Sequence, residues 1–388
     1  MLAGADSTDV DSSGAPARRL ASQRPHMNPL QPLQPRRGVQ GARRGALERM
    51  PKWLICMPLA CQWLWLTVRY RSATLPSAAN PAITAGGLVG EGKLEYFRDM
   101  GPVARRATAV HCAVVAAVAA TPAQLEQTML GAGLEFPVIA KPDLGLCGYG
   151  VRLVADLPAL CRYVNAFPAG ETVVLQAYLP QDGEAGIFYA RDPDSGHARL
   201  IGLALRHFPQ VVGDGCRSIE QLCAADLRLA RLYGSNRHEA PAAGKRVPAA
   251  GEVVRLATIG STRVGGLYRD GSAWITPALL ASVDAIARDM PAFHCGRFDV
   301  RFESLDALAA GHGFTIMEIN GAGSEAIEAW DPDTGIVRGL RMIFAKQRTL
   351  FAIGAAMRRR GAVPIGLLAL ARLNWRQQRL IALYPPSN

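Results

Sequence analysis

Two carboxylates and an amide on two apolar stretches late in the chain are the residues best suited to chemistry. Asp299 lies in GRFDVRF, while Glu318 and Asn320 lie in MEING. If both stretches are strands, residues two apart point to one face, so Glu318 and Asn320 lie together. Carboxylate and amide oxygens are the ligands that Mg²⁺ accepts when it also holds phosphates. The pattern predicts a metal site, with a buried ion-pair network involving Arg297 and Arg301 as the alternative.

A lysine followed by a glycine-rich loop is the second candidate. Lys141 ends the apolar stretch FPVIAK, and the loop DLGLCGYG at 143–150 contains Gly145, Gly148 and Gly150. Glycines allow backbone N–H groups to approach phosphate oxygens, and the lysine adds a point charge. This combination suits a nucleoside triphosphate. A strand-ending lysine beside an ordinary hairpin loop would give the same local pattern.

A third pattern has the spacing of a P-loop. Residues 87–93 read GLVGEGK, which satisfies G-x-x-x-x-G-K. Leu94 stands where a Ser or Thr hydroxyl would bind Mg²⁺, and no apolar strand precedes the motif. A P-loop phosphotransferase centred on Lys93 is therefore kept only as an alternative.

The elements that must position these residues are mixed. Helices are predicted from Thr121 to about Leu130, and after Asp156, Ser218 and Thr276, because each begins with a capping residue. Strands are predicted from apolar runs bounded by turns. These runs are 136–141, GVRLV, 172–176, 184–191, ARLIGLAL, VVRLATIG, 295–302 and 314–320. Helices combined with antiparallel hairpins predict the α+β class rather than a doubly wound parallel sheet.

Together these motifs resemble a known family. FPVIAKPDLGLCGYGV, VVLQAYL, GRFDVRF and FTIMEINGAGSE are similar to the ATP-grasp superfamily, in particular to its branch near D-alanine–D-alanine ligase. The resemblance covers roughly residues 121–345. It implies an ATP-grasp fold, with two α+β subdomains sandwiching ATP and a short N-terminal subdomain. It also implies an ATP- and Mg-dependent ligase that activates a carboxylate as an acyl phosphate, joins it to an amine and releases ADP.

The resemblance also assigns roles to residues. It places Lys141 and the glycine loop on the ATP phosphates, and Arg297 on the tetrahedral intermediate. The other implied contacts are Gln176, Ala177, Tyr178 and Leu179 at the adenine, Glu184 near the ribose, Asp299, Glu318 and Asn320 on one or two Mg²⁺, and Lys93, Ser324 and Glu325 at the substrates. Ser324 and Glu325 could equally cap the next helix.

Two positions depart from the family pattern. Arg206 stands where a second, catalytic lysine is usual, and Gln176 stands where an acid is common. Arginine supplies the positive charge with a different geometry. These departures keep open the alternative of a noncatalytic ATP-binding homologue.

Charge and composition predict the organisation of the chain. Residues 1–50 hold eight Arg and four acids, and 338–388 hold ten Lys/Arg and no acid, which leaves 25 bases and 28 acids between them. The net charge of +11 thus belongs to the two ends and does not predict nucleic-acid binding. The predicted domains are a disordered basic leader (1–50), an N-terminal subdomain (51–120), a central subdomain with the glycine loop (121–205), a C-terminal subdomain with the metal site (206–345) and a basic helical tail (346–388).

Location and partners are predicted from weaker features. The apolar run from Trp53 to Val68 contains Pro58 and Gln62, so it falls short of a membrane span. Scattered cysteines without a metal-type spacing predict a cytoplasmic protein, with a signal peptide starting at Met50 as the rival. The predicted partners are a small-molecule carboxylate and an amine. Peripheral membrane contact through the C-terminal tail and a homodimer stay open.

Overall fold

The described chain contains three antiparallel sheets: a larger five-stranded sheet, a smaller four-stranded sheet and a two-stranded pair. The computed structural model describes residues 44–116, 121–230 and 244–387. Most of the predicted basic leader, residues 1–43, lies outside these ranges. The helices and antiparallel strands of the described ranges confirm the predicted α+β class.

The elements are numbered here in chain order. The helices are α1 Ala46–Arg49, α2 Lys52–Tyr70, α3 Lys93–Arg98, α4 Pro102–Ala107, α5 Pro122–Gly131, α6 Leu157–Asn165, α7 Ile219–Ala225, α8 Pro277–Arg288, α9 Leu305–Ala309, α10 Ile336–Arg359 and α11 Leu367–Ile381. The strands are β1 His111–Val115, β2 Val138–Pro142, β3 Arg152–Val154, β4 Thr172–Ala177, β5 Gly183–Arg191, β6 Ala198–His207, β7 Gln210–Val212, β8 Val253–Arg255, β9 Leu267–Asp270, β10 Cys295–Phe302 and β11 Phe314–Asn320.

The smaller sheet carries the glycine loop. Its strand order is β1-β4-β2-β3, and every neighbouring pair is antiparallel. Apolar side chains of α5 and α6, such as Leu125 and Leu160, pack with Val138 and Leu175 of the strands. The loop at 143–150 joins β2 to β3 at the end where Lys141 lies. The helix packing therefore fixes the base of the loop.

The larger sheet separates an apolar face from a polar face. Its order is β11-β10-β5-β6-β9, again antiparallel throughout. On one face, Ile187, Phe298 and Val300 pack against α3 and α8 in the main core. Because strand side chains alternate between faces, the residues between them point to the opposite side. That opposite side carries the candidate site.

Most local predictions agree with the structure because they rest on capping chemistry. The side chains of Thr121, Asp156, Ser218 and Thr276 each accept a hydrogen bond from the third following backbone N–H, and helices begin at the next residue. Strands β10 and β11 match their predicted bounds residue for residue.

The strand predicted from VVRLATIG was too long. β8 ends at Arg255 because its partner β7 offers only three residues, Gln210–Val212. Beyond it, the Arg255 side chain donates from Nε to the Ala257 carbonyl and from Nη2 to the Thr258 carbonyl. These bonds hold the following residues as a loop rather than as a strand.

Candidate functional site

The polar face of the larger sheet is arranged in cross-strand rows. The antiparallel register sets each residue of this face directly opposite one residue of each neighbouring strand. The rows are Asn320–Arg297–Phe188–Gly202, Glu318–Asp299–Gly186–Ala204, and Arg301–Glu184–Arg206–Tyr268. The register therefore brings together the predicted metal ligands, the predicted catalytic arginines and Glu184.

Asp299 is the centre of this face and is 2% exposed. Arg297 binds it through both oxygens, with Nε 2.6 Å from Oδ1 and Nη2 3.0 Å from Oδ2. Arg206 Nη2 lies 3.0 Å from Oδ2, and the Asn320 amide donates to the same oxygen at 3.2 Å. Burial by itself would raise the pKa of Asp299, but the two guanidinium groups hold it below its ordinary value. Asp299 is thus a buried anion that orients both arginines.

Arg206 also binds a second carboxylate. Its Nη1 donates to Glu184 Oε1 at 3.1 Å, and Arg301 Nη2 lies 3.5 Å from the other oxygen of Glu184. Glu184 is 5% exposed and pairs across the strands with both arginines. Arg206 therefore links Glu184 to Asp299, a bridging role that its planar fork of donors permits and a lysine would not match.

Lys141 connects the smaller sheet to the larger one. Its ammonium donates to Gln176 Oε1 at 2.8 Å and to the Met317 carbonyl at 2.9 Å. Met317 is the extra residue of a β-bulge, because Asp299 pairs with Glu318 while the next residue, Val300, pairs with Ile316. A bulge leaves its extra residue outside the regular ladder, which frees this carbonyl. Burial lowers the pKa of Lys141 to about 8, against the opposing effect of Glu318.

Gln176 therefore holds Lys141 through its side-chain oxygen. Its amide Nε2 is buried and has no hydrogen-bond partner within the described part of the chain. Ala177, Tyr178 and Leu179, the other predicted hinge residues, follow at the end of β4 and are half-buried. The register sets Ala177 opposite Val138, at the start of β2, whereas Lys141 lies opposite Val174 nearer the other end of the sheet.

Lys93 enters the site from the other side. Its ammonium lies 3.3 Å from Glu318 Oε1 and donates to the Asp143 carbonyl at 3.3 Å. Burial alone would raise the pKa of Glu318, but Lys93 and Lys141 lower it. Within residues 44–116 the chain before Lys93 forms short 3-10 turns at Leu75–Ala78 and Thr84–Gly87 and no strand. The strand that a P-loop requires is therefore missing there.

The glycine loop is held in place by residues distant in sequence. Gly148 and Gly150 have φ values of 74° and 73°, which favour glycine, and Cys147 has 48°. Arg263 donates from Nε to the Cys147 carbonyl and from Nη2 to the Gly148 carbonyl, at 3.1 and 3.2 Å. A Cβ on Gly145 would lie 2.7 Å from the Lys93 ammonium. The loop and Lys93 are therefore packed directly together.

The C-terminal segment also binds the glycine loop. Gln377 Nε2 donates to the Gly145 carbonyl at 3.0 Å, and the Tyr384 hydroxyl donates to the Leu144 carbonyl at 2.7 Å. The Ser387 hydroxyl donates to the Gly148 carbonyl at 2.8 Å. Neither these contacts nor Arg263 had been predicted, because no motif marks them in the sequence.

The loop after β11 brings a further cation to the site. The Ser324 hydroxyl donates to the Gly321 carbonyl at 2.8 Å, and the Glu325 carbonyl accepts a bond from Arg297 at 3.4 Å. Neither side chain caps the following 3-10 turn, whose N-cap residue makes no side-chain bond. Lys346 of α10 lies 3.4 Å from the Ser324 hydroxyl and 4.4 Å from the Phe188 ring centre. Burial lowers the pKa of Lys346 to about 7, and the sequence analysis had missed this residue.

The polar face offers oxygen ligands for one divalent cation, and Glu318 is the open one, because both oxygens of Asp299 already accept hydrogen bonds. Asp299 and Glu318 are direct cross-strand partners, and Asn320 lies on the same face. The Glu318 side chain is 33% exposed and already attracts the Lys93 ammonium. Among the described residues, no group of three His, Cys, Asp or Glu side chains could hold a metal by itself. Such an ion would need ligand oxygens, as Mg²⁺ does on a nucleotide.

Comparison with solved structures finds distant similarity only. D-Alanine–D-alanine ligase from Bacillus anthracis is 14% identical with a TM-score of 0.37, and the match covers 70% of this chain and 71% of that one. D-Cycloserine synthetase DcsG is 13% identical with a TM-score of 0.34, covering 68% and 70%. The bifunctional glutathione synthetase from Pasteurella multocida is 17% identical with a TM-score of 0.34, and the match covers 67% of this chain but only 35% of that chain.

No protein-family model matches the chain, and a search of curated proteins finds no match.

Proposed function

We propose that this protein is an ATP-grasp carboxylate–amine ligase. One observation carries the proposal: Lys141, Glu318, Asp299 and Arg297 converge on one polar face beside the glycine loop, although they come from two different sheets. Five cations (Lys93, Lys141, Arg206, Arg297 and Arg301) meet three carboxylates (Glu184, Asp299 and Glu318) on this face. The excess positive charge suits a triphosphate.

The side chains have distinct roles in the proposed reaction. Lys141 and the backbone N–H groups of the glycine loop bind the phosphates of ATP, and a substrate carboxylate attacks the γ-phosphorus. ADP departs and an acyl phosphate remains. An amine then attacks the acyl carbon, phosphate leaves, and an amide forms. Arg297 stabilises the negative charge that develops on the carbonyl oxygen, because Asp299 fixes its guanidinium in place.

Asp299, Glu318 and Asn320 would hold Mg²⁺, which when bound neutralises charge on the phosphate oxygens. Lys93 lies beside Glu318 and the loop, where it adds a cation at the edge of the same site. Ser324, Glu325 and Lys346 lie next to Arg297 and are the nearest candidates for contacts with the acyl substrate. The cytoplasmic location stays a prediction.

Product formation provides the test. Mg-ATP is mixed with amino acids and short peptides, singly and in pairs, while ADP release is followed and products are weighed by mass spectrometry. We expect ADP only with a reactive carboxylate, and a product whose mass is the sum of both partners less one water. Arg297→Lys should retain ATP binding and lower turnover by about 100-fold, because a lysine cannot reproduce the fork.

The same experiment separates the alternative. Arg206 already binds both Glu184 and Asp299. If these two ion pairs do not break when substrate arrives, Arg206 is not available for catalysis, which favours a noncatalytic ATP-binding protein. ATP binding without ADP release from any partner would support that alternative. A complete lack of ATP binding would overturn both.

ATP affinity should also depend on pH. Since burial lowers the pKa of Lys141 to about 8, the free protein loses this charge as the pH rises past that value. ATP should bind about tenfold more weakly at about pH 9 than at about pH 7. Lys141→Arg stays charged throughout, so its affinity should be level over this range. A wild-type affinity that does not change would contradict the phosphate-binding role of Lys141.

A further inference from the structure

The outward face of α2 is apolar along its whole length. Trp53, Met57, Cys61, Leu64 and Val68 are spaced four, four, three and four residues apart, so they lie on one side of the helix. All five are exposed, Trp53 to 66%, Leu64 to 64% and Val68 to 71%. The opposite side is also apolar and includes the buried Ile55 and Leu66. A helix that is apolar all round is normally covered on every side.

A second exposed apolar group lies beside the end of α2. The Thr74 hydroxyl donates to the Ile365 carbonyl at 2.6 Å, and the Ile365 N–H donates to the Ser77 hydroxyl at 2.9 Å. These bonds fix the turn between α10 and α11 next to α2. Val363, Leu367 and Leu368 of that region are 87%, 65% and 78% exposed. We call these three residues and the five of α2 the apolar surface.

Arginines border the apolar surface. Arg69, Arg71 and Arg358 are exposed, and Arg358 donates to the Tyr70 carbonyl at 3.1 Å. The sequence has no acid between Glu48 and Glu91, and none after Asp333. The surface built from these two segments is therefore apolar and cationic. Nearby Asp194 is already paired with Arg359 and Arg360.

We propose that the apolar surface binds the surface of an anionic lipid bilayer, with α2 lying in the plane of the interface. The charge pattern selects this occupant: arginines pair with lipid phosphates while Trp53, Leu64 and Val68 enter the headgroup boundary. A second copy fits worse, because a two-fold dimer would set this arginine border against itself without an acid. In the described residues no helix has the length and apolarity to cross a bilayer. The membrane contact predicted for the C-terminal tail would thus depend mainly on α2.

Co-sedimentation of the full chain with lipid vesicles tests this proposal. Vesicles of phosphatidylcholine alone are compared with vesicles that also contain phosphatidylglycerol. We expect binding only to the second kind, and weaker binding at high salt. Leu64→Ser should weaken binding about tenfold, since one buried leucine is lost. Arg69→Gln combined with Arg71→Gln should weaken it about 30-fold.

Matched controls are available on other helices. Leu130→Ser removes an equally exposed leucine, 64% in both positions, from α5. Arg105→Gln with Arg106→Gln removes two exposed arginines from α4. Neither control should alter vesicle binding. The proposal is overturned if the wild type ignores anionic vesicles, or if the variants and controls bind alike. It is also overturned if light scattering shows a dimer that Leu64→Ser converts to a monomer.

Discussion

Lys141→Met should weaken ATP binding by at least about 30-fold, and up to several thousand-fold. Removing one partner of a buried, hydrogen-bonded charge pair costs roughly 2–5 kcal/mol of binding free energy. With ATP bound, Lys141 would form such a pair with a phosphate, because it is 5% exposed and lies beside the glycine loop on the strand that precedes it. Methionine fills nearly the same volume without a charge, so the core of the smaller sheet should stay packed.

The measurement is calorimetric titration with a nonhydrolysable ATP analogue and Mg²⁺. Lys245→Met is the matched control, because Lys245 is exposed. This variant should bind ATP like the wild type. A thermal melt of each variant shows whether folding is intact. The phosphate-binding role of Lys141 fails if Lys141→Met binds ATP as tightly as the control. If Lys93→Met abolishes binding while Lys141→Met does not, Lys93 rather than Lys141 is the phosphate-binding lysine.

Asp299→Asn should lower the free energy of unfolding by roughly 3–5 kcal/mol, which corresponds to about 4–6 °C in Tm for a chain of this length. The amide keeps the shape of the side chain but removes the charge that Arg206 and Arg297 share. Two buried guanidinium groups would then lack their anion. Glu126→Gln is the control, because Glu126 is exposed on α5 and should change Tm little.

The destabilisation caused by Asp299→Asn should depend on pH. The pKa of Asp299 in the folded protein lies below its ordinary value of 3.8, since Arg206 and Arg297 outweigh the effect of burial. A depressed carboxyl pKa stabilises the fold fully above the unfolded value, and this stabilisation is lost as the pH falls through the folded value. The difference in free energy of unfolding between the wild type and Asp299→Asn should therefore be largest near neutral pH. It should become smaller as the pH falls below 3.8. A constant difference down to strongly acidic pH would mean that the charge is not the cause.

Local chemistry explains what could be predicted from the sequence. Capping side chains such as Thr276 and Asp156 bind backbone groups only three residues away, so helix starts need no tertiary information. Apolar and polar residues alternate in GRFDVRF and FTIMEIN, and this alternation by itself predicts that Asp299, Glu318 and Asn320 lie on polar strand faces. The α+β class follows from the order of such elements.

The other contacts of the site depend on strand register and on how distant elements pack. A single bulged residue, Met317, aims its carbonyl at Lys141, and the pairing of β5 with β6 places Arg206 between two carboxylates. Lys346, Arg263 and Tyr384 come to the site from α10, from a loop before β9 and from the C-terminus.

The charge of the chain shows the same division. Its sequence assigns the excess arginines to the two ends, but only the packing of α10 against α2 sets Arg358 of the C-terminal end beside Tyr70, next to Arg69 and Arg71. Sequence patterns act over a few residues, whereas Arg358 and Tyr70 are 288 positions apart, and the geometry of their contact depends on how whole helices pack.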